Sequence, residues 1–175
     1  EQLGVEVTPA IATVLLSAIM TDTVITKSPT CTDYDLVQAE KLGAIIGKKP
    51  TEFGLEVFKM RGGDNDLSVE ELCTHDSKEF KKGDDVYMVA QHETVTLDVA
   101  MEREAEYREF LRQKVAENGY KFALLLVTDI FNEGSKFICE GDVAPVSEAF
   151  GIDATKAEWV DGILSRKKQV IPPLS

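Results

Sequence analysis

An uninterrupted apolar run, Phe122–Val127, constrains the fold of this chain more than any other stretch. Such a run is typical of a strand buried on both faces, because a strand with one solvated face alternates apolar and polar residues. A turn at 132–134 then predicts an antiparallel partner strand at 136–139. Residues 98–118, with Glu and Arg at helical spacing before Gly119, predict a long helix. With a further strand predicted at 86–90, we expect an α/β unit on a small mixed sheet.

Residues 1–60 carry three helical patterns. In the first, which Thr8 and Pro9 begin, apolar residues at i, i+3, i+4, i+7 and i+8 predict a buried stripe. The stripe consists of Ile11, Val14, Leu15, Ala18 and Ile19. Thr32 and Gly47 bound the second helix, with Leu36, Ala39, Ile45 and Ile46 as candidate core residues, and the third is predicted to begin at Thr51. Gly62–Asp66 is polar and glycine-rich and predicts a linker. We therefore predict a helical segment, 1–63, followed by an α/β domain, 64–175.

Charge and cysteine content exclude several classes of function. The chain has 19 basic and 31 acidic residues, a net charge of −12, which argues against binding nucleic acid or a membrane surface. Its three cysteines lie far apart without a CxxC motif, so neither a disulfide framework nor a zinc knuckle is expected. This cysteine pattern predicts a reducing, cytoplasmic location. The apolar run 11–20 is too short to span a bilayer.

Arg166-Lys167-Lys168 is a cluster of cations in this acidic chain. Such a cluster suits a site that grips a small anion, since Arg matches two phosphate oxygens and Lys supplies a movable ammonium. The stiff apolar residues 170–173 indicate that the cluster is held in place. An extended segment would put Arg166 and Lys168 on one face, whereas a turn at Ser165 would bring Arg166 and Lys167 to one anion. A solvated charge run is the simpler alternative.

Asp22 lies at the end of an apolar helix, where the helix dipole disfavours a carboxylate. A metal ion, a buried cation or plain exposure would each account for it. His75 and His92 do not form an HExxH motif.

Four stretches together resemble one family. They are Leu16–Thr23, Lys27–Thr32, Asp76–Phe80, and Ser165–Gln169 continued by Pro172–Leu174. Their order and separation are similar to those in the C-terminal portion of a family II, manganese-dependent inorganic pyrophosphatase of the DHH phosphoesterase superfamily. The resemblance covers essentially the whole chain, and Ser-Arg-Lys-Lys-Gln is its most specific stretch. It implies that 1–63 are the last helices of the DHH catalytic domain plus linker, and that 64–175 are the substrate-binding domain.

The resemblance also implies roles for four residues. Asp22 matches a metal-ligand aspartate, Lys78 a phosphate-binding lysine, and Arg166 with Lys167 the cationic pair that holds the two phosphates. Lys78, Arg166 and Lys167 are thus both the substrate-binding and the catalytic candidates. Lys168 and Gln169 are expected to be supporting neighbours.

The implied activity is hydrolysis of pyrophosphate to two phosphates with two Mn²⁺ ions, Co²⁺ or Mg²⁺ being alternatives. Pyrophosphate and phosphate are the implied ligands, and the complete enzyme is expected to be a cytoplasmic homodimer. The family's other metal ligands, including the DHH histidines, have no counterpart in these residues. We therefore expect the N-terminal DHH domain as a partner and little or no activity from this chain alone.

Three alternatives stay open at this point. An exopolyphosphatase of the same superfamily has a related C-terminal domain. A non-catalytic phosphate-binding module would need no metal domain. A generic acidic α/β domain would leave the cations solvated.

Overall fold

The computed structural model describes residues 6–60 and 67–175. The chain divides into two compact units, 1–61 and 62–175, which we call the N-terminal unit and the C-terminal unit. The predicted linker, Gly62–Asp66, lies outside the described residues. The assignment of the two segments to a catalytic and a substrate-binding domain stays a prediction.

The described part of the N-terminal unit, residues 6–60, contains three helices: α1 (Pro9–Asp22), α2 (Asp33–Ile46) and α3 (Pro50–Met60). Their predicted ends are largely confirmed. The Thr8 side chain accepts a hydrogen bond from the amide of Ile11, and Thr32 forms a capping box at the start of α2. Gly47 ends α2 in the left-handed conformation, with φ of +68°. Helix α3 begins one residue before its predicted start.

The predicted buried stripe of α1 is wrong. The residues that α1 buries are Ala12, Leu16 and Met20, whereas Ile11, Val14 and Leu15 are 46%, 68% and 44% exposed. Helix α1 is apolar on nearly every side, so the 3.6-residue period fits more than one face and does not decide which face neighbouring helices cover. In α2 the predicted core residues Leu36 and Ile45 are exposed, whereas Ala39 is buried as predicted.

The C-terminal unit is a five-stranded mixed sheet with helices on both faces. The strands lie in the order β1-β2-β3-β4-β5; β2 and β3 are parallel, and the other pairs are antiparallel. In chain order the elements are α4 (Val69–Thr74), β1 (Ser77–Lys82), β2 (Asp85–Thr94), α5 (Leu97–Met101), α6 (Glu104–Asn118), β3 (Phe122–Asp129), β4 (Gly134–Gly141), α7 (Ala144–Phe150), β5 (Glu158–Asp161), a π-helical turn (Arg166–Val170) and α8 (Ile171–Leu174).

Strand β3 is the centre of this unit, and all eight of its residues are buried. Ala123, Leu125 and Val127 pack into a core with α4, α5 and α6. The residues between them, such as Leu124 and Leu126, face the opposite core with α7, the π-helical turn and α8. The predicted doubly buried strand, its hairpin partner and the α/β class are confirmed.

Strands β1 and β5 were not predicted, and the long helix was predicted with the wrong bounds. The single helix expected over 98–118 is two helices, because the chain turns at Glu102 and Arg103. There Nη1 of Arg103 donates to the carbonyl oxygen of Leu67 at 2.7 Å. Strand β5 has only four residues and lies at the sheet edge, so it lacks the length that makes an alternating pattern visible.

Candidate functional site

The predicted cationic segment forms a helical turn and not an extended strand. Ser165 is extended, and its hydroxyl oxygen accepts a hydrogen bond from the amide of Lys168 at 3.3 Å. The side-chain oxygen of Gln169 accepts from the amides of Leu164 and Ser165, both at 2.9 Å. The extended alternative, with Arg166 and Lys168 on one face, is therefore wrong. The turn at Ser165 is present, and the expectation that it brings Arg166 and Lys167 to one anion stays a prediction.

Apolar residues on the C-terminal side hold this turn against the sheet. Val170 is fully buried and Leu174 is 4% exposed, and both belong to the core beneath the sheet. The prediction that the apolar residues after the cations hold them in place is confirmed. The cations therefore occupy a defined position relative to the sheet.

Arg166 is buried, with 7% of its surface exposed. Its Nη2 lies 2.8 Å from Oδ1 of Asp76, and its Nη1 donates to the carbonyl oxygens of Asp76 and, at 3.5 Å, Val89. Among the described residues, nothing accepts a hydrogen bond from its buried Nε. The alternative in which residues 166–168 are all solvated is therefore wrong for Arg166. Its charge is desolvated, which strengthens its attraction for any anion that reaches it.

Lys78 lies on the same face of the sheet as Arg166. In the antiparallel pair β1–β2, Lys78 is opposite Val89, whose carbonyl oxygen accepts from Arg166. Residues paired in this way share a face, and the Val89 side chain lies in the core beneath the π-helical turn. The fold thus brings Lys78 and Arg166 to one edge of the sheet, although they are far apart in sequence.

Lys78 and the exposed Lys167 differ from Arg166 in that both side chains are solvated. Within 6–60 and 67–175, neither lysine takes part in an ion pair. Lys78 shares a sheet edge with the buried guanidinium of Arg166, and Lys167 follows Arg166 in sequence, so movable and fixed donors are available to an anion with several oxygens. The arrangement is suited to binding phosphate groups.

Asp22 lies in the other unit, as the last residue of α1, and is exposed. Its backbone carbonyl accepts from the hydroxyl of Thr30 at 3.0 Å, and its carboxylate has no partner within the described residues. The chain after it turns through Val24, Ile25 and Thr26 with φ of 50°, 52° and 64°. Left-handed backbone costs roughly 1–2 kcal/mol per residue outside glycine, so the end of α1 is held in a strained turn. Asp22 is thus a solvated carboxylate on a fixed backbone.

A metal site needs more ligands than Asp22. Within the described parts of the chain, no three His, Cys, Asp or Glu side chains lie close enough to hold a metal ion. A free carboxylate fits one position in the coordination of a hard divalent cation. It does not fit a complete site, so further ligands would have to come from outside the described residues.

The two cysteines of the C-terminal unit do not offer a second reactive centre. Cys73 and Cys139 are buried, and burial raises the pKa of each thiol to about 12. A thiol with that pKa is almost entirely protonated near neutral pH and is therefore a poor nucleophile. The chemistry of the C-terminal unit is consequently that of its cations.

Asp76 and Gln91 belong to the site although sequence reasoning assigned them no role. Asp76 ends the loop before β1 and binds the Arg166 guanidinium. The Gln91 side-chain oxygen accepts from the amide of Arg166 at 3.0 Å. The available signal was a long polar side chain near the end of a strand whose preceding residues are apolar. That signal marks a buried polar group but does not reveal its partner.

A family model places the C-terminal unit among known domains. The DHHA2 domain model matches residues 55–175. The chain belongs to the DHHA2 domain family. Among the described residues, the DHHA2 match includes Lys78, Asp76, Gln91 and the π-helical turn, but not Asp22.

Relatives of this DHHA2 protein extend the similarity over the whole chain. Proteins of Staphylococcus haemolyticus and Staphylococcus epidermidis, each named probable manganese-dependent inorganic pyrophosphatase, are 36% identical over 177 aligned residues. The alignments cover all of this chain and 57% of the length of each relative. A crystal structure from Methanococcus jannaschii, described as a family II inorganic pyrophosphatase, has a TM-score of 0.85 at 35% identity, and the match covers 97% of this chain and 56% of that one. The chain therefore spans a little over half the length of these relatives.

No helix within the described residues has the length and apolar character needed to cross a bilayer.

Proposed function

We propose that this chain is the phosphate-binding part of a manganese-dependent inorganic pyrophosphatase. The observation that carries the proposal is that Lys78 and Arg166 lie at one edge of the sheet, with Lys167 next to Arg166 in sequence, in a chain with a net charge of −12. The names of the staphylococcal relatives and of the archaeal structure support the same activity. Local positive charge in an acidic protein favours one small anion over polyanions.

The three cations have different roles in binding pyrophosphate. Arg166 is fixed and desolvated, so its fork can orient one phosphate group. Lys78 and Lys167 are exposed and mobile, so they can follow the oxygens as charge moves to the leaving phosphate. Cations placed where negative charge develops stabilise the transition state more than the ground state.

Asp22 is proposed as one ligand of a Mn²⁺ site that other residues complete. Its carboxylate is free within the described residues, and its backbone is held in place. Bound Mn²⁺ would supply an activated water and neutralise phosphate oxygens. The chain itself contributes one oxygen ligand and the cations that bind the phosphates.

Exposed apolar side chains support a larger complete protein. Val14 is 68% exposed, Tyr34 71% and Val37 52%, and exposed apolar surface that forms a contiguous patch commonly marks an interaction site. We propose that this surface of the N-terminal unit packs against a metal-binding domain in a homodimeric, cytoplasmic enzyme.

A non-catalytic phosphate-binding module is the second candidate. It is favoured by the lack of any three-ligand metal cluster among the described residues. The free carboxylate of Asp22 favours the enzyme, since a module that binds only anions has no use for it.

The test is the intact mass of the native protein from its source, measured with manganese-dependent pyrophosphate hydrolysis on the same sample. We expect a mass well above 19.3 kDa and activity that requires Mn²⁺. Asp22→Asn in that protein should lower activity and manganese affinity together, whereas Asp84→Asn, an exposed turn carboxylate, should not. A native protein of 19.3 kDa without activity would exclude the pyrophosphatase and favour the non-catalytic phosphate-binding module. Preference for long polyphosphate would instead indicate an exopolyphosphatase.

A further inference from the structure

A buried polar network joins the sheet to the backbone of the cationic segment, and Gln91 is at its centre. Gln91 is 7% exposed, and Thr128 and Ser135 are fully buried. Their side chains lie on three adjacent strands, β2, β3 and β4. Nε2 of Gln91 lies 2.9 Å from the Thr128 hydroxyl, which lies 2.8 Å from the Ser135 hydroxyl. Burying a hydroxyl in an otherwise apolar sheet costs free energy unless the hydroxyl makes hydrogen bonds. The positions of Thr128 and Ser135 therefore indicate that their hydrogen bonds have a structural purpose.

The network ends on three backbone groups just before and within the π-helical turn. Ser135 donates to the carbonyl oxygen of Ile163 at 2.8 Å, and Gln91 donates to that of Leu164 at 3.2 Å. The Gln91 oxygen accepts from the amide of Arg166 at 3.0 Å. Both the nitrogen and the oxygen of the Gln91 side-chain amide therefore bind the backbone of residues 164–166. These two hydrogen bonds fix the distance and the orientation of that segment relative to the sheet.

Gln91 also controls the partner of the Arg166 side chain. Its backbone amide donates to the carbonyl oxygen of Asp76 at 2.9 Å. That same oxygen accepts from Nη1 of Arg166, and the Asp76 carboxylate lies 2.8 Å from Nη2. One residue thus holds the backbone of Arg166 through its side chain and the counter-ion of Arg166 through its backbone.

We infer that Gln91 is the positioning residue that sets Arg166, and with it Lys167, for anion binding. The inference rests on the proposed function in so far as the anion is pyrophosphate. Gln91 does not contact the anion. It acts by holding the Arg166 backbone, because a displacement of about 1 Å in a binding group costs roughly 100-fold in a positioned reaction.

The variant Gln91→Met keeps the length of the side chain and removes both of its hydrogen-bonding ends. Two quantities are measured on the full chain: pyrophosphate affinity by calorimetry, and hydrogen exchange at the Arg166 amide by NMR. We expect affinity to fall at least tenfold and the Arg166 amide to exchange at least tenfold faster. Thr128→Val, which removes the next hydroxyl of the network, should produce smaller changes in the same direction.

A matched control separates positioning from general loss of stability. Leu111→Ala opens a cavity in the core on the other face of the sheet, where Leu111 is fully buried. It should lower stability as much as Gln91→Met or more, yet leave pyrophosphate affinity and Arg166 amide exchange within about twofold of the original protein below the unfolding transition.

The outcomes are distinct. If the original chain binds pyrophosphate and Gln91→Met binds it equally well, the positioning role is overturned and the proposed function stands. If the original chain does not bind pyrophosphate, the proposed function fails, and Arg166 amide exchange still decides the positioning role. If the Arg166 amide exchanges in Gln91→Met as it does in the original chain, the positioning role is overturned. It is also overturned if Leu111→Ala lowers pyrophosphate affinity as much as Gln91→Met does. Should Gln91→Met not fold, Thr128→Val measured in the same two ways decides.

Discussion

Oδ1 of Asp76 lies 2.8 Å from Nη2 of Arg166, although the carboxylate is half exposed and the guanidinium is buried. The acceptors of the proposed phosphate-binding arginine are thus this carboxylate and two backbone carbonyls. A phosphate group that binds through Nη2 of Arg166 would compete with this carboxylate for the guanidinium. Asp76 therefore acts as a counter-ion that keeps Arg166 in place and lowers its affinity for external anions.

The first prediction is that Asp76→Asn strengthens pyrophosphate binding about threefold to tenfold. The substitution removes the competing charge, while the carbonyl oxygens of Asp76 and Val89 still hold the guanidinium. Calorimetric titration at low salt measures the affinity.

Asp84→Asn is the control for this prediction. It removes one negative charge from the turn between β1 and β2, where the Asp84 side chain is exposed. Its effect reports long-range charge alone and should stay below twofold. Weaker binding in Asp76→Asn than in Asp84→Asn would show that the carboxylate orients Arg166 and does not compete with the anion.

The second prediction concerns the thiols. Cys73 and Cys139 are buried, with the pKa of each raised to about 12, whereas Cys31 is partly exposed. Partial burial and the carboxylates of Asp35 and Asp33 raise the pKa of the Cys31 thiol as well, so the difference between the thiols comes from exposure. A chromogenic disulfide reagent at pH 8 should therefore react much faster with Cys31 than with the two buried thiols in the folded chain, and with all three in denaturant. Cys31→Ser should abolish the fast reaction, and fast reaction of two thiols would contradict the packing around the sheet.

The third prediction tests the edge of the sheet. A Cβ placed on Gly134 would lie 2.2 Å from Cζ2 of Trp159 on strand β5. Gly134→Ala should lower the free energy of unfolding by about 1–3 kcal/mol, as overpacking does. Urea titration of Gly134→Ala, Trp159→Ala and the double variant measures the coupling. Additive effects, with no coupling between the two positions, would mean that Trp159 does not pack on Gly134.

The fourth prediction is a pH dependence that arises at Asp153. A hydrogen bond from Lys156, 2.8 Å away, and a further one from Thr155 lower the pKa of this carboxyl to about 2. Because the folded pKa lies below that of the unfolded chain, the stabilisation is fully present above about pH 4 and is lost as the pH falls towards 2. Asp153→Asn should thus be less stable than the original chain at pH 6, with the difference shrinking below pH 4. A difference that is constant from pH 6 to pH 2 would exclude this ionisation as its source.

The sequence predicted the helix ends and the central strand correctly, because capping residues and an uninterrupted apolar run are local signals. Thr32, Gly47 and Gly119 lie at helix ends as expected, and the apolar run 122–127 is the doubly buried strand. Prediction failed where several faces were equally apolar, as in α1, or where an element was too short to show a period, as in β5.

The cations of the candidate site were named from the sequence, and their functional role stays a prediction, whereas the contacts of Arg166 were not foreseen. Lys78, Arg166 and Lys167 were selected by resemblance to a family, whereas Asp76 and Gln91 carried no recognisable pattern. Their roles depend on the pairing of β1 with β2 and on the turn after Ser165. Contacts between residues 76, 91 and 166 depend on tertiary structure, and local spacing does not specify them.

The measurement that tests the central claim most directly is pyrophosphate binding to the full chain and to three single variants: Lys78→Ala, Lys167→Ala and Lys81→Ala. Each removes one positive charge from an exposed side chain. Lys81 is on the same strand as Lys78 but has the opposite parity, so its side chain points to the other face. The account predicts that Lys78→Ala and Lys167→Ala each weaken binding at least fivefold while Lys81→Ala changes it less than twofold. Equal effects of all three would mean that pyrophosphate responds to overall charge, and that these cations do not form a site.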